Sequence, residues 1–268
     1  MTVFDECERR TWAGRAAAYA GSFAALCAHP VPWLLDAAEV REGVRVLDVG
    51  TGTGTVAAAA CARGARVTAV DAEPGMVELA ARAAPAAEVR VAVLPELPFP
   101  DAAFDAVTGN FVLNHVGRPA VALTELRRVV RPGGLIALTI WAAPAAAGQA
   151  LLGRAVQAAG AVRPPRLPAL APEDDFPRTE DGLCALLGSA GLRDARCETL
   201  RWDHRATAQE WWSGPAAGVA SIGQVVVGQA PGVRTEIKRH FDLLSAEFTG
   251  PDGLLALPHA ALPARARR

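Results

Sequence analysis

The residues best placed to do chemistry lie in VLDVGTGTG, residues 46 to 54, where a β-branched run empties into a turn with glycines at 50, 52 and 54. Glycines let a ligand approach the backbone, and a helix opening after them offers free N–H groups. Asp48 stands two places before the first glycine, and Thr55 occupies the place where the dinucleotide-binding fingerprint asks for its third glycine. An acid at that point repels a pyrophosphate and suits a ligand with a positive end. Asp71 closes the next β-branched run, 21 residues after Gly50, where a carboxylate accepts hydrogen bonds from both hydroxyls of a ribose. For proton transfer the chain offers His29, His115, His204, His240 and His259. His115, in GNFVLNHV, ranks first, and His204, in RWDHR ahead of a Trp-rich segment, ranks second. The cysteines, Cys7, Cys27, Cys61, Cys184 and Cys197, are odd in number and form no C-x-x-C pair, so neither a disulfide framework nor a metal site is expected. Lys238 is the only lysine, which confines any Schiff-base chemistry to that position.

These residues need a scaffold that brings strand ends and turns together. Short β-branched runs alternate with helical stretches from residue 44: VRVLDVG (44–50), ARVTAVD (65–71), EVRVAVL (88–94), FDAVTGN (104–110) and LIALTIW (135–141) read as five strands of a parallel sheet. Helices between them are marked by Pro74 at a first helical position, by the spacing of Val121, Leu123, Leu126 and Val130, and by Pro132-Gly133-Gly134 as a stop. Ahead of the sheet, a helical segment over 5–38 places Trp12, Tyr19, Phe23 and Leu26 on one face. After it come a Pro-rich connection (164–177), a helix around TEDGLCALLGSAG, an extended stretch LRDARCETLRWDHR and a helix opened by a Thr207/Glu210 capping box. A further amphipathic helix runs through Ile237, Phe241 and Leu244, LLALPHAAL reads as a last strand, and PARARR as a loose tail.

A nucleoside that carries a cation where a nucleotide carries phosphates is S-adenosylmethionine, and here the chain resembles the class I S-adenosylmethionine-dependent methyltransferases. The likeness is to the small-molecule branch of ubiquinone/menaquinone methyltransferase type. VLDVGTGTG resembles the first motif of that family, AVDAEPGMVELA the second, LPELPFPDAAFDAV the third and LRRVVRPGGLIALTIW the fifth-strand signature, in the right order and spacing. The resemblance implies an α/β fold: a Rossmann-like, doubly wound, seven-stranded sheet, mostly parallel with an antiparallel last strand. It also implies an N-terminal helical lid (1–40), a cofactor-binding core (41–142) and a cap insertion that completes the sheet (143–268). It implies that Gly50, Thr51 and Gly52 line the methionine part of the cofactor, that Asp48 orients the loop, and that Asp71 holds the ribose. Ala72 and Met76 then lie against adenine or ribose, Leu94 covers the other adenine face, Asn110 offers its carbonyl near the ammonium, and Tyr19 closes the pocket. His115 then faces the methyl acceptor as a general base. One departure stands out: Val93 occupies the place of the acid that reads the adenine amino group, which leaves backbone groups and Glu96 for that task. Trp202, Trp211 and Trp212 fall where the family builds its acceptor pocket.

Lys and Arg number 27 against 28 Asp and Glu with no long basic run, so a small-molecule acceptor is expected rather than a nucleic acid. MTVFDECERR lacks the basic and apolar blocks of a secretory leader, and the uncharged runs 132–153 and 211–233 carry Gly, Pro, Gln or Ser; the expectation is a cytoplasmic protein without membrane spans. Two alternatives stay open on sequence grounds. An NAD(P)-dependent oxidoreductase is disfavoured by Asp48 and Thr55, and a non-catalytic cofactor sensor or scaffold is kept by Val93 and the optional base.

Overall fold

Valine- and alanine-rich strands flanked by glycine turns give a sheet that helices can cover on both faces. The computed structural model describes residues 2–165 and 167–268. Its strands are β1 (Arg45–Val49), β2 (Arg66–Asp71), β3 (Glu88–Val91), β4 (Phe104–Asn110), β5 (Val130–Trp141), β6 (Arg193–Cys197), β7 (Leu200–Ala206) and β8 (Leu255–Arg267). They lie in the order β3-β2-β1-β4-β5-β8-β6, with β7 also pairing β8. The first five are parallel, whereas β8 runs antiparallel to β5, β6 and β7. The expected seven strands become eight because one edge is broken at Glu198 and Thr199. Up to that break β6 pairs with the far half of β8, and beyond it β7 pairs with the near half.

Three sequence expectations are corrected at strand ends. The third strand stops at Val91, and a turn with Glu96 N–H donating to Val93 O (3.0 Å) follows it. The fifth begins at Val130, ahead of Pro132-Gly133-Gly134, which sits in a register shift against β4. PARARR is no tail: Ala264 and Ala266 are buried and Arg265 and Arg267 pair in β8, while the Arg268 guanidinium donates to Arg128 O and Val130 O. Alternating alanine and arginine has strand period but too little apolar mass to register as one.

The helices are α1 (Val3–Trp12), α2 (Ala16–Ala20), α3 (Ala24–Cys27), α4 (Val31–Ala37), α5 (Thr55–Ala62), α6 (Pro74–Ala83), α7 (Pro119–Val129), α8 (Ala147–Ala158), α9 (Glu180–Ser189), α10 (Ala208–Ala216), α11 (Ala220–Val227) and α12 (Pro231–Ser245). One face of the sheet is covered by α4 and α5 through Leu34, Leu35, Val56 and Ala57, and the other by α7 and α9 through Leu123, Leu126, Leu183 and Leu187. Leu151, Leu152, Trp211, Ile237 and Phe241 join α8, α10 and α12 to the outer half of β8 in a separate apolar cluster. The single helical segment expected over 5–38 is four short helices, broken at Gly14, which takes φ +70°, at Gly21, which caps α2, and at Pro30, which lacks an N–H. Of these four, α1 to α3 lie over the carboxyl ends of the strands, and α4 belongs to the sheet's covering layer. Among the described residues no helix is long and apolar enough to cross a membrane.

Candidate functional site

The turn between β1 and α5 is built by backbone conformations that side chains resist. Gly50, Gly52 and Gly54 all have positive φ. A Cβ on Gly50 would stand 2.5 Å from Val112 Cγ2, and one on Gly54 2.7 Å from Ala80 Cα, so both are needed for packing. A Cβ on Gly52 would meet only the Tyr19 ring, at 3.7 Å, so this glycine faces open space. Asp71, at the end of β2, holds the turn: one carboxylate oxygen accepts from Gly52 N–H (2.8 Å) and the other from Glu73 N–H (3.0 Å). Burial raises the Asp71 carboxyl above its ordinary range against the pull of these donors. Asp48 lies beneath the turn, 1% exposed, and accepts from the Thr108 hydroxyl at 2.9 Å. Burial pushes its carboxyl up to about 7, against the Thr51 and Thr108 hydroxyls.

Over the strand ends lies a cavity of about 470 Å³, within the range of small-molecule sites. Of the residues the sequence singled out, Tyr19, Gly50, Gly52, Asp71, Ala72, Met76, Leu94, Asn110 and His115 line it. Asp48 and Thr51 do not; both are buried behind the turn. Val93 lines it too, whereas Glu96 is exposed and outside it. Asn110 has its side chain committed, donating to Cys27 O (2.7 Å) and accepting from the Thr139 hydroxyl, which ties β4 to α3 and β5. Tyr19 and Trp12 meet edge to face (centroids 5.5 Å apart) and both line the cavity. Away from the glycine turn the wall is aromatic. Phe111, a non-glycine residue at φ +59°, lies flat on Trp141 with centroids 4.0 Å apart, and strained backbone of this kind is concentrated at ligand sites. Of the three tryptophans expected there, only Trp211 lines the cavity. Trp202 stacks on His29 behind the wall (4.6 Å), and Trp212 packs on Phe241 inside the cap (5.3 Å).

His115 sits in the 3-10 turn Val112–His115 after β4. Its Nδ1 is 2.7 Å from Glu8 Oε2, and Glu8, on α1, is 8% exposed. Trp12 Nε1 approaches the same nitrogen at 3.4 Å. One nitrogen cannot both donate to a carboxylate and accept from an indole, and the short contact decides: Nδ1–H donates to Glu8, so in the neutral ring the lone pair is on Nε2. The sequence did not reveal Glu8; it lies 107 residues from its partner and carries no local motif. His204 does not line the cavity, whereas His259, ranked low, does. Burial lowers His204, and pushes His259 down to about 4. Among the described residues no group of His, Cys, Asp and Glu could hold a metal ion.

Comparison with known proteins gives this geometry a lineage. Residues 47–138 match the family described as "Methyltransferase domain". A demethylmenaquinone methyltransferase of Clavibacter sepedonicus is 44% identical over 106 residues, which is 38% of this chain and 43% of that protein; the chain thus matches less than half the length of that relative. The uncharacterized protein Mb1440c of Mycobacterium bovis is 30% identical over 250 residues, 88% of this chain and 86% of that one. Among solved structures, YcgJ of Bacillus subtilis shares the fold with a TM-score of 0.57 at 20% identity, covering 90% of this chain and 98% of its own. With the glycine turn, the Asp71 clamp and the strand order in place, this chain belongs to the S-adenosylmethionine-dependent methyltransferase family.

Proposed function

We propose that the chain methylates a small, ring-containing molecule at oxygen or nitrogen, using S-adenosylmethionine and releasing S-adenosylhomocysteine. The observation that carries this reading is the single cavity that joins a glycine turn and an acid-closed strand to an aromatic chamber. When bound, S-adenosylmethionine supplies an electrophilic methyl group on a positively charged sulfur. The residues present fit it: Gly52 leaves the space a side chain would fill, and each Asp71 oxygen keeps a lone pair beyond the one given to the turn. Asp71 is thus the ribose acceptor, and Ala72, Met76, Val93 and Leu94 supply apolar surface for the adenine.

Chemistry in such a site is mostly alignment and exclusion of water, which the roof of Trp12 and Tyr19 serves. His115 Nε2 takes the proton that the acceptor loses as its new bond to carbon forms. Glu8 holds the ring in the competent tautomer and steadies the imidazolium. The near balance of 27 basic and 28 acidic residues favours a small acceptor over a nucleic acid, and we place the protein in the cytoplasm. Calorimetric titration tests the reading: S-adenosylmethionine and S-adenosylhomocysteine should bind and NAD and NADP should not. Binding of a nicotinamide nucleotide with neither sulfur compound bound refutes it.

A further inference from the structure

The aromatic end of the cavity contains polar groups that the methyl-transfer reading leaves unused. His259, on β8, is 2% exposed and lines the cavity. Its Nδ1 is 2.8 Å from Leu257 O, and a carbonyl only accepts, so Nδ1 carries the hydrogen and Nε2 the lone pair. Burial keeps the imidazole neutral at physiological pH, and none of the hydrogen bonds among the described residues reaches Nε2. Trp211, whose ring centroid is 5.4 Å from that of His259, also lines the cavity, and its buried indole N–H has no partner among the described residues. An acceptor and a donor, neither with a hydrogen bond among the described residues, therefore belong to neighbouring rings beside the flat pair of Phe111 and Trp141. Buried polar groups left in this state cost stability unless something else completes them.

Resting on the reading of the glycine turn as the cofactor end, we propose that the far end of the cavity is a subsite for an uncharged aromatic ring carrying a hydroxyl group, with the hydroxyl between His259 and Trp211. A hydroxyl can donate to His259 Nε2 and accept from Trp211 Nε1–H at once. A carboxylate cannot donate, and an alkylammonium cannot accept. The ring lies against Phe111 and Trp141, whose stacked faces favour a planar partner.

The test titrates the full chain with 1-naphthol, naphthalene and 1-naphthoate, with and without saturating S-adenosylhomocysteine. Naphthol should bind about tenfold tighter than naphthalene, the worth of one hydrogen bond to a buried acceptor, and naphthoate should bind weakest. His259→Asn keeps an N–H where Nδ1–H meets Leu257 and removes Nε2, so it should remove most of the preference for naphthol over naphthalene. Trp211→Phe should do so in part, and both variants should still bind S-adenosylhomocysteine as evidence of folding. Equal binding of naphthol and naphthalene, no binding of naphthol, or an unchanged preference in both variants overturns the subsite. Failure of S-adenosylhomocysteine to bind the unaltered chain refutes instead the reading of the cofactor end.

Discussion

Two buried groups with opposite displacements should cancel each other's contribution to the pH dependence of stability, and substitution can expose the cancellation. Burial pushes Asp48 up to about 7 and His259 down to about 4. In the unfolded chain they titrate at roughly 3.9 and 6.5. Between those limits the folded protein holds a proton on Asp48 that the unfolded chain has shed, and the unfolded chain holds one on His259 that the folded protein excludes. The bound-proton difference from the pair is therefore near zero. Each alone contributes a slope of about 1.4 kcal/mol per pH unit, with opposite signs. Asp48→Asn leaves the histidine unopposed, so stability relative to the unaltered chain should fall by about 2 kcal/mol between pH 6.5 and pH 4.5. His259→Asn leaves the carboxyl unopposed, and over the same interval relative stability should rise by about the same amount. Acid losses from Asp105 and Glu125, whose carboxyls Arg45 and Arg128 hold below the ordinary range, are common to all three proteins and cancel in the differences. Urea unfolding followed by tryptophan fluorescence at the two pH values measures them, provided the slope against urea stays constant. If both variants track the unaltered chain within 1 kcal/mol, the two groups do not bear these protonation states and the argument fails.

Two further predictions concern the ends of the cavity. Asp71→Ala should weaken S-adenosylhomocysteine binding by about 1 to 3 kcal/mol and lower the melting temperature, because a charged acceptor for two loop amides is lost with the ribose contact; an unchanged Kd moves that contact elsewhere. Glu8→Gln should shift His115 from a single tautomer toward a mixture in ring-nitrogen NMR spectra, and His115→Ala should cut turnover about 100-fold without loss of cofactor affinity once an acceptor is found. Identical ring spectra with and without the Glu8 carboxyl would show that Glu8 does not orient the ring.

The legible part of the molecule is the part whose signals are local. Strands β1, β2 and β4 match their β-branched runs to within a residue or two, because each is largely buried and its end is marked locally, by Gly50 after β1, by Asp71 in β2 and by Gly109-Asn110 in β4. The glycine turn and Asp71 could be read from spacing alone, since one βα unit and the next strand fix their separation. Trp12, Tyr19, Phe23 and Leu26 all line the cavity although the helix expected to carry them is in pieces. Their spacing survives because the breaks at Gly14 and Gly21 each return the chain to helical turns within a few residues. Trp141 reads from the sequence as a strand residue, and the structure makes it a wall of the site as well. Its position as the last residue of β5, at the edge where such sheets bind ligands, was the available signal. Glu8 and His259 had none, because their roles depend on elements that meet only after the sheet and cap are assembled.

That assembly also decides what the roof over the cavity does. Three carboxyls fasten α1 and the turn after it. Asp5 accepts from Gly117 N–H at 2.6 Å, Glu8 from His115 Nδ1 at 2.7 Å, and Glu73 from Gly14 N–H at 3.2 Å. The first two end on the loop that carries His115, and the third on the acid that also caps α6 by accepting from Met76 N–H at 2.8 Å. A chain with α1 undocked therefore exposes the cofactor end and, by the same displacement, deprives His115 of the group that sets its tautomer. In the proposed reading, cover and base orientation thus share a helix. Had the orienting carboxyl come from the sheet or from β4, His115 would stay oriented whether or not the site was covered. Because it comes from α1, the proposed base role of His115 and the cover over the site would depend on the docking of one helix.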